Sequence, residues 1–248
     1  IAPDTASMKS IYLPKEMELL VCSYGGVGTT FLIDFLAQYK ICNNRDDKDG
    51  FKHLDKPPPT RNKNLRAIYI FGNPIDAVYS LFRRQFHHEQ SYKLLEQYRN
   101  LKPVPLEMSL DTYATEGIDK FQFENHFLNW SERYSQYPVL FIRYEKIWDH
   151  LDELLEFASI PIEEKRLFPE KKERKSEAMT IAEPVQSSMR EMYGELQDRL
   201  FQGPDCWLYD KEKNFSDQIY PLKYATKAKL GMWEVGLKRG ILRLLGKK

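Results

Sequence analysis

The sequence predicts an α/β fold, a parallel sheet layered between helices, on three observations. Three short apolar runs rich in β-formers recur along the chain, each is followed by an amphipathic helical pattern, and the first meets its helix through a glycine-rich turn. Strands alternating with helices imply parallel crossover units, whose ligands sit beyond the carboxyl ends of the strands. With 248 residues, 42% of them hydrophobic, the chain is long enough to bury a full core as one such domain.

The first strand pattern is Leu19 to Tyr24, followed by a helix over Thr29 to Tyr39 with Phe31, Leu32, Phe35 and Leu36 on one face. The second is Ala67 to Phe71, followed by a helix over Ile75 to Phe86 that carries Val78, Leu81 and Phe82. The third is Val139 to Tyr144, leading into a helix over Glu145 to Ala158 that Pro161 closes. Between the first two units, Asn43 to Asn64 is polar, carries Pro57, Pro58 and Pro59, and reads as an extended loop of the kind that carries function. Residues 90 to 135 read as mainly helical with a break at Pro103 and Pro105, and the charged stretch 163 to 183 as a lid or a solvated loop. The expected domain spans residues 8–221, its C-terminal part mainly helical, followed by a basic amphipathic segment at 222–248.

The turn itself, Gly25-Gly26-Val27-Gly28-Thr29-Thr30, has the makings of a phosphate cradle. Glycines let the backbone take φ > 0 and approach a ligand, and the first N–H groups of the following helix attract an anion. Thr29 and Thr30 add hydroxyls. An NTPase loop places lysine between its last glycine and the Ser/Thr, whereas Thr29 follows Gly28 directly, so ATP or GTP hydrolysis is not the first reading.

Four pieces together resemble the sulfotransferases that use 3′-phosphoadenosine-5′-phosphosulfate (PAPS). Ser23 to Phe31, SYGGVGTTF, is similar to that family's TYPKSGTTW loop, and Gly72 to Ser80, GNPIDAVYS, to its RNPKDVAVS signature. Phe51-Lys52-His53-Leu54 resembles the KTHLP element, and Ile142 to Ile147, IRYEKI, the late-strand RYEDL. The resemblance covers residues 19 to 161 and implies a three-layer P-loop-type sheet.

It further implies transfer of a sulfuryl group from PAPS to a hydroxyl of a glycan or small molecule, releasing 3′,5′-adenosine bisphosphate (PAP). On this reading Gly25, Gly26, Val27, Gly28, Thr29 and Thr30 hold the 5′-phosphosulfate, Ser80 meets the 3′-phosphate with Arg83 or Arg84, and Asp76 fixes its loop. His53, with Lys52 beside it, is the base that takes the acceptor proton, and Glu145 the alternative. Read alone, a histidine in a polar loop such as His53 is usually just solvated, and Asn73-Pro74 is a helix cap. Two departures stand out: the family's cradle lysine aligns with Gly26 and its 3′-phosphate arginine with Gly72. Lys52, Lys56, Arg83, Arg84, Arg174 and Lys175 are the candidate replacements. The alternatives are a protein of this fold that binds a nucleotide or partner without transfer, and a transferase or kinase using another phosphorylated donor.

Composition narrows the field further. A formal net charge of +1 gives no global nucleic-acid footprint. The three cysteines are scattered, without metal-ligand spacing, and fit reduced thiols in an intracellular, cytoplasmic setting; no metal is expected. Adjacent His87 and His88 point to different helix faces and read as structural or surface residues. No run approaches a membrane span, and the first residues carry no signal-peptide core. From Leu230 to Lys248, Trp233, Leu237, Ile241, Leu244 and Leu245 form an apolar stripe flanked by basic residues, which fits contact with an anionic membrane surface or docking on the domain.

Overall fold

The computed structural model describes residues 13–95, 101–171 and 181–209. Strands β1 (Leu19–Ser23), β2 (Arg66–Phe71) and β3 (Val139–Arg143) run parallel, in the order β1-β2-β3. Their registers pair Leu19 with Arg66 and Ala67 with Val139. All but the terminal Arg66 and Arg143 are buried, because helices cover both faces of the sheet and leave no solvent-facing row for polar residues.

A fourth strand, β4 (Cys206–Tyr209), closes the β3 edge antiparallel. The sequence pattern does not reveal it, since four residues after Gly203-Pro204 offer no alternation to read. Its anchor is Trp207, whose ring stacks on Phe141 at 4.7 Å with the planes 4° apart.

Helices α1 (Thr29–Leu36) and α2 (Pro74–Arg83) follow β1 and β2. The expected third helix divides into a 3-10 segment, Tyr144–His150, and α6 (Leu151–Ala158), so Tyr144 and Glu145 lie on a tighter turn near the strand ends. Between β2 and β3 come α3 (His87–Leu95), α4 (Leu110–Glu116) and α5 (Phe123–Ser131), as the 90 to 135 pattern implied. Part of the charged stretch is a 3-10 turn, Ile162–Leu167, and Glu183 opens the 20-residue α7 (Glu183–Gln202). Val185, Met189, Tyr193, Leu196 and Leu200 recur every three or four residues along α7 and pack it on α2 and α4. A buried chain ties α7 to the α4–α5 connection: Tyr113 and Tyr193 hydroxyls are 2.6 Å apart, and Tyr193 donates to Asp119 at 2.6 Å. The membrane-surface reading of residues 230 to 248 falls outside the described residues, as do Arg174 and Lys175. No helix among the described residues is long and apolar enough to cross a membrane.

Candidate functional site at the ends of β1 and β2

The glycine turn sits at the carboxyl end of β1. Gly25, Gly26 and Gly28 have φ of 96°, 73° and 76°, the left-handed region that a side chain resists. A Cβ at Gly26 would meet the Ala77 backbone at 2.8 Å, and one at Gly28 would enter the Tyr144 ring at 2.2 Å. The backbone thus approaches α2 and Tyr144 closely because it carries no side chains there. Position 26 has no room for the lysine that the resemblance would place at it. Val27 is fully buried, so it anchors the turn and offers the ligand only its backbone.

The turn is stiffened from within. Ser23 Oγ lies 2.6 Å from Thr29 Oγ1 and accepts from Gly25 N–H at 3.0 Å. Gln90 of α3 donates to the Tyr24 carbonyl at 3.1 Å. Gly28 is the N-cap of α1, and no side chain caps that helix. Its first N–H groups therefore keep the partial positive charge that an anion seeks.

The loop after α1 brings the second piece to the same place. Ser23 N–H donates to the Lys52 carbonyl at 3.1 Å, aligning Lys52 and His53 beside the end of β1. Lys52 Nζ donates to Thr30 Oγ1 at 2.6 Å and to the Arg45 carbonyl at 2.8 Å, so an ammonium stands on the cradle's own hydroxyl. Burial lowers the Lys52 pKa; Asp47 opposes the shift, and the neighbouring cations Lys93 and Arg84 add to it. Asp47 is the fixing residue: one carboxylate oxygen accepts from Lys52 N–H at 3.0 Å and the other from Lys93 Nζ at 2.8 Å.

His53 is half-buried, and its Nδ1 donates to the Ser23 carbonyl at 2.8 Å, which leaves Nε2 as the acceptor of the neutral ring. Burial holds its pKa well below the ordinary imidazole value, so the ring is neutral around pH 7. A neutral imidazole with Nδ1 tied to a carbonyl presents an unprotonated Nε2, and the burial that keeps it so also makes it a weaker base than a solvated imidazole.

The end of β2 is built differently. Tyr24 Oη accepts from Gly72 N–H at 2.8 Å and donates to the Gly72 carbonyl at 2.5 Å. The Asn73 side chain caps α2 by accepting from Ile75 and Asp76 N–H at 3.0 and 3.3 Å, with Pro74 in the first turn. Glu145 Oε1 accepts from Asn73 N–H at 3.1 Å, and its carboxylate oxygens lie 3.0 and 3.2 Å from where a Gly72 Cβ would be. Glu145 is thus engaged at this corner.

The remaining candidates separate. Ser80 is buried on α2, and Arg84 Nε donates to its carbonyl at 3.2 Å while the guanidinium lies over Phe86 at 5.3 Å. Arg83 instead lines a cavity of about 600 Å³ with Phe82, His87 and residues 106 to 110, at the opposite end of α2 from Ala77. His87 Nε2 donates to the Leu106 carbonyl at 3.0 Å and His88 Nδ1 to the Val104 carbonyl at 2.7 Å. Among the described residues no cluster of three His, Cys, Asp or Glu side chains could hold a metal.

Sequence reasoning passed over Asp47, Gln90 and Tyr144. Asp47 carried a faint signal, lying in the polar run Asn43-Asn44-Arg45-Asp46-Asp47 ahead of Lys52. Gln90 carried none, and Tyr144 stood out only within IRYEKI and not for this packing, because both fill the space that Gly25 and Gly28 leave.

A family model described as Sulfotransferase domain matches residues 51–201, more than half of the chain. The match begins at the Lys52-His53 loop and runs through α7, beyond residue 161 where the motif resemblance stops, and it leaves out the glycine turn. No match was found among curated proteins.

Proposed function

From the premise that the chain belongs to the sulfotransferase family, we propose that it moves a sulfuryl group from PAPS to a hydroxyl of a glycan or small-molecule acceptor. The observation that carries this reading is the Lys52 ammonium on Thr30 Oγ1 at 2.6 Å, adjacent in sequence to a neutral His53 tied to the same strand end.

The chemistry follows from those groups. The donor's 5′-phosphate lies against the uncapped N-terminus of α1, with Thr29 and Thr30 near it. The acceptor O–H gives its proton to His53 Nε2 as the oxygen bonds to sulfur. The bond from sulfur to the bridging oxygen breaks, and its electron pair stays on the phosphate leaving group. Charge grows there, and Lys52 is the cation that meets it. Preorganisation by Asp47 and the Ser23 carbonyl means neither group reorganises at that moment.

Glu145 beside Gly72 favours a second reading, in which the protein binds a nucleotide without transfer or uses another phosphorylated donor. Thermal unfolding with PAP, ADP, ATP and nucleotide sugars tests the donor, and transfer of labelled sulfate from PAPS to an acceptor distinguishes transfer from binding alone. A ligand at a hundredfold its Kd stabilises by about 2.7 kcal/mol, a rise of roughly 5 to 10 °C for a domain of this size. Selective stabilisation by PAP supports PAPS as donor. A response confined to another nucleotide overturns it.

A further inference from the structure

His53 sits in a long loop, yet that loop is riveted to α5 and the segment following it. Trp130, wholly buried, donates its indole N–H to the Leu54 carbonyl at 2.7 Å, one residue past His53. Asn129 Nδ2 donates to Asp55 Oδ1 at 2.8 Å. Farther along, Tyr137 Oη donates to the Pro58 carbonyl at 3.1 Å, and Thr60 N–H to Gln136 Oε1 at 2.8 Å. His126, one turn before Trp130 on α5, lies against the backbone of His53 and Leu54 with its Nε2 sealed from solvent. Its Nδ1 is 2.8 Å from Tyr69 Oη on β2. The Tyr69 ring also packs on Trp130 at 5.4 Å, so one aromatic from the central sheet supports both α5 residues.

Two of these contacts, from Trp130 and Asn129, hold the two residues after His53, where a small backbone shift would swing its ring. We propose that α5 is the positioning element for His53, with Trp130 and Asn129 fixing the loop and the Tyr69–His126 pair setting the wall behind the imidazole. The inference rests on the proposed role of His53 as base. None of the four residues is assigned to contact with donor or acceptor. The charged and titratable groups that act on the His53 ring are Asp47, Lys52 and His126.

The test reads the ring itself. Long-range ¹H–¹⁵N spectra of the full chain, with the five histidines assigned by His→Gln variants, report the tautomer and titration of His53 without any turnover. In the wild type, the expected signal is the Nδ1–H tautomer, with no titration between about pH 5.5 and 8. In Trp130→Phe and in the milder variant Asn129→Ala at a half-buried position, a tautomer mixture is expected, with titration moving up toward the ordinary imidazole range. kcat falls about 10- to 100-fold while PAP affinity is unchanged. An unchanged His53 spectrum in folded Asn129→Ala and Trp130→Phe overturns the proposal. Should Trp130→Phe fail to fold, Asn129→Ala decides alone. Normal turnover in His53→Ala would instead overturn the base assignment, leaving the spectra to judge the positioning.

Discussion

The ends of β1 and β2 repeat the same local design, a buried strand, a glycine turn and a helix, and then diverge. At the end of β2 the first helical N–H groups are spoken for, because Asn73 caps α2 with its own side chain and the Glu145 carboxylate takes the Asn73 N–H. At the end of β1 no side chain caps α1, and the Lys52 ammonium stands on Thr30 in its first turn. One terminus is closed on itself and the other is open to an anion. The two corners also differ in the charge beside them. Gly26 cannot host a lysine against Ala77, and a cation reaches the same cradle from the neighbouring loop; beside Gly72 stands a carboxylate.

The largest effect expected from breaking this arrangement is on chemistry. His53→Ala should lower turnover about 100- to 10,000-fold, the usual worth of a positioned base, with PAP affinity nearly intact. Retained turnover would move the proton transfer elsewhere. Next comes the shape of the open end. Gly26→Ala places a methyl 2.8 Å from the Ala77 backbone at positive φ and should cost about 2 to 5 kcal/mol by chemical denaturation. A cost near zero would mean that the turn readily adopts another path.

A pH effect follows from the buried imidazoles. Burial depresses the His126 pKa in the folded chain, so below about pH 6.5 the unfolded state binds a proton that the native state does not. Stability is therefore fully present above that pH and falls as pH drops toward the folded value, by about 1.4 kcal/mol per pH unit for this one group. His126→Gln should remove that contribution from the slope of unfolding free energy against pH. An unaltered slope would show that His126 is charged in the native state. The smallest effect tests the closed end. Asn73→Ala should cost about 1 kcal/mol through the lost cap while leaving the PAP-induced thermal shift in place. Loss of the shift would make Asn73 a ligand rather than a cap.

Much of the fold was legible because it rests on local signals. The three parallel strands are continuous apolar runs, and Asn73-Pro74 announces the start of α2 in its chemistry. β4 was not, since Trp207 is held by Phe141 from another strand and nothing near it in sequence says so. The site divides the same way. The glycines and threonines of the cradle and the Lys52-His53 pair are readable as residue types near a strand end. Which cation stands on the cradle is a long-range fact: Lys52 and Thr30 are 22 positions apart, and Asp47 fixes the first without any motif to mark it. Arg83 and Arg84 read as a pair beyond Ser80, yet Arg84 turns its Nε to the Ser80 carbonyl while Arg83 lines the cavity with residues 106 to 110.

In the proposed function, Lys52 supplies the cradle's cation. Isothermal titration of PAP into the wild type and Lys52→Met tests it most directly, since methionine keeps the length and burial of the stem while removing the charge. A charge-assisted bond worth about 1.5 to 3 kcal/mol predicts an affinity lower by roughly 10- to 150-fold, with unfolding still cooperative. Equal affinity for both proteins would contradict the claim and place the anion's counter-charge elsewhere.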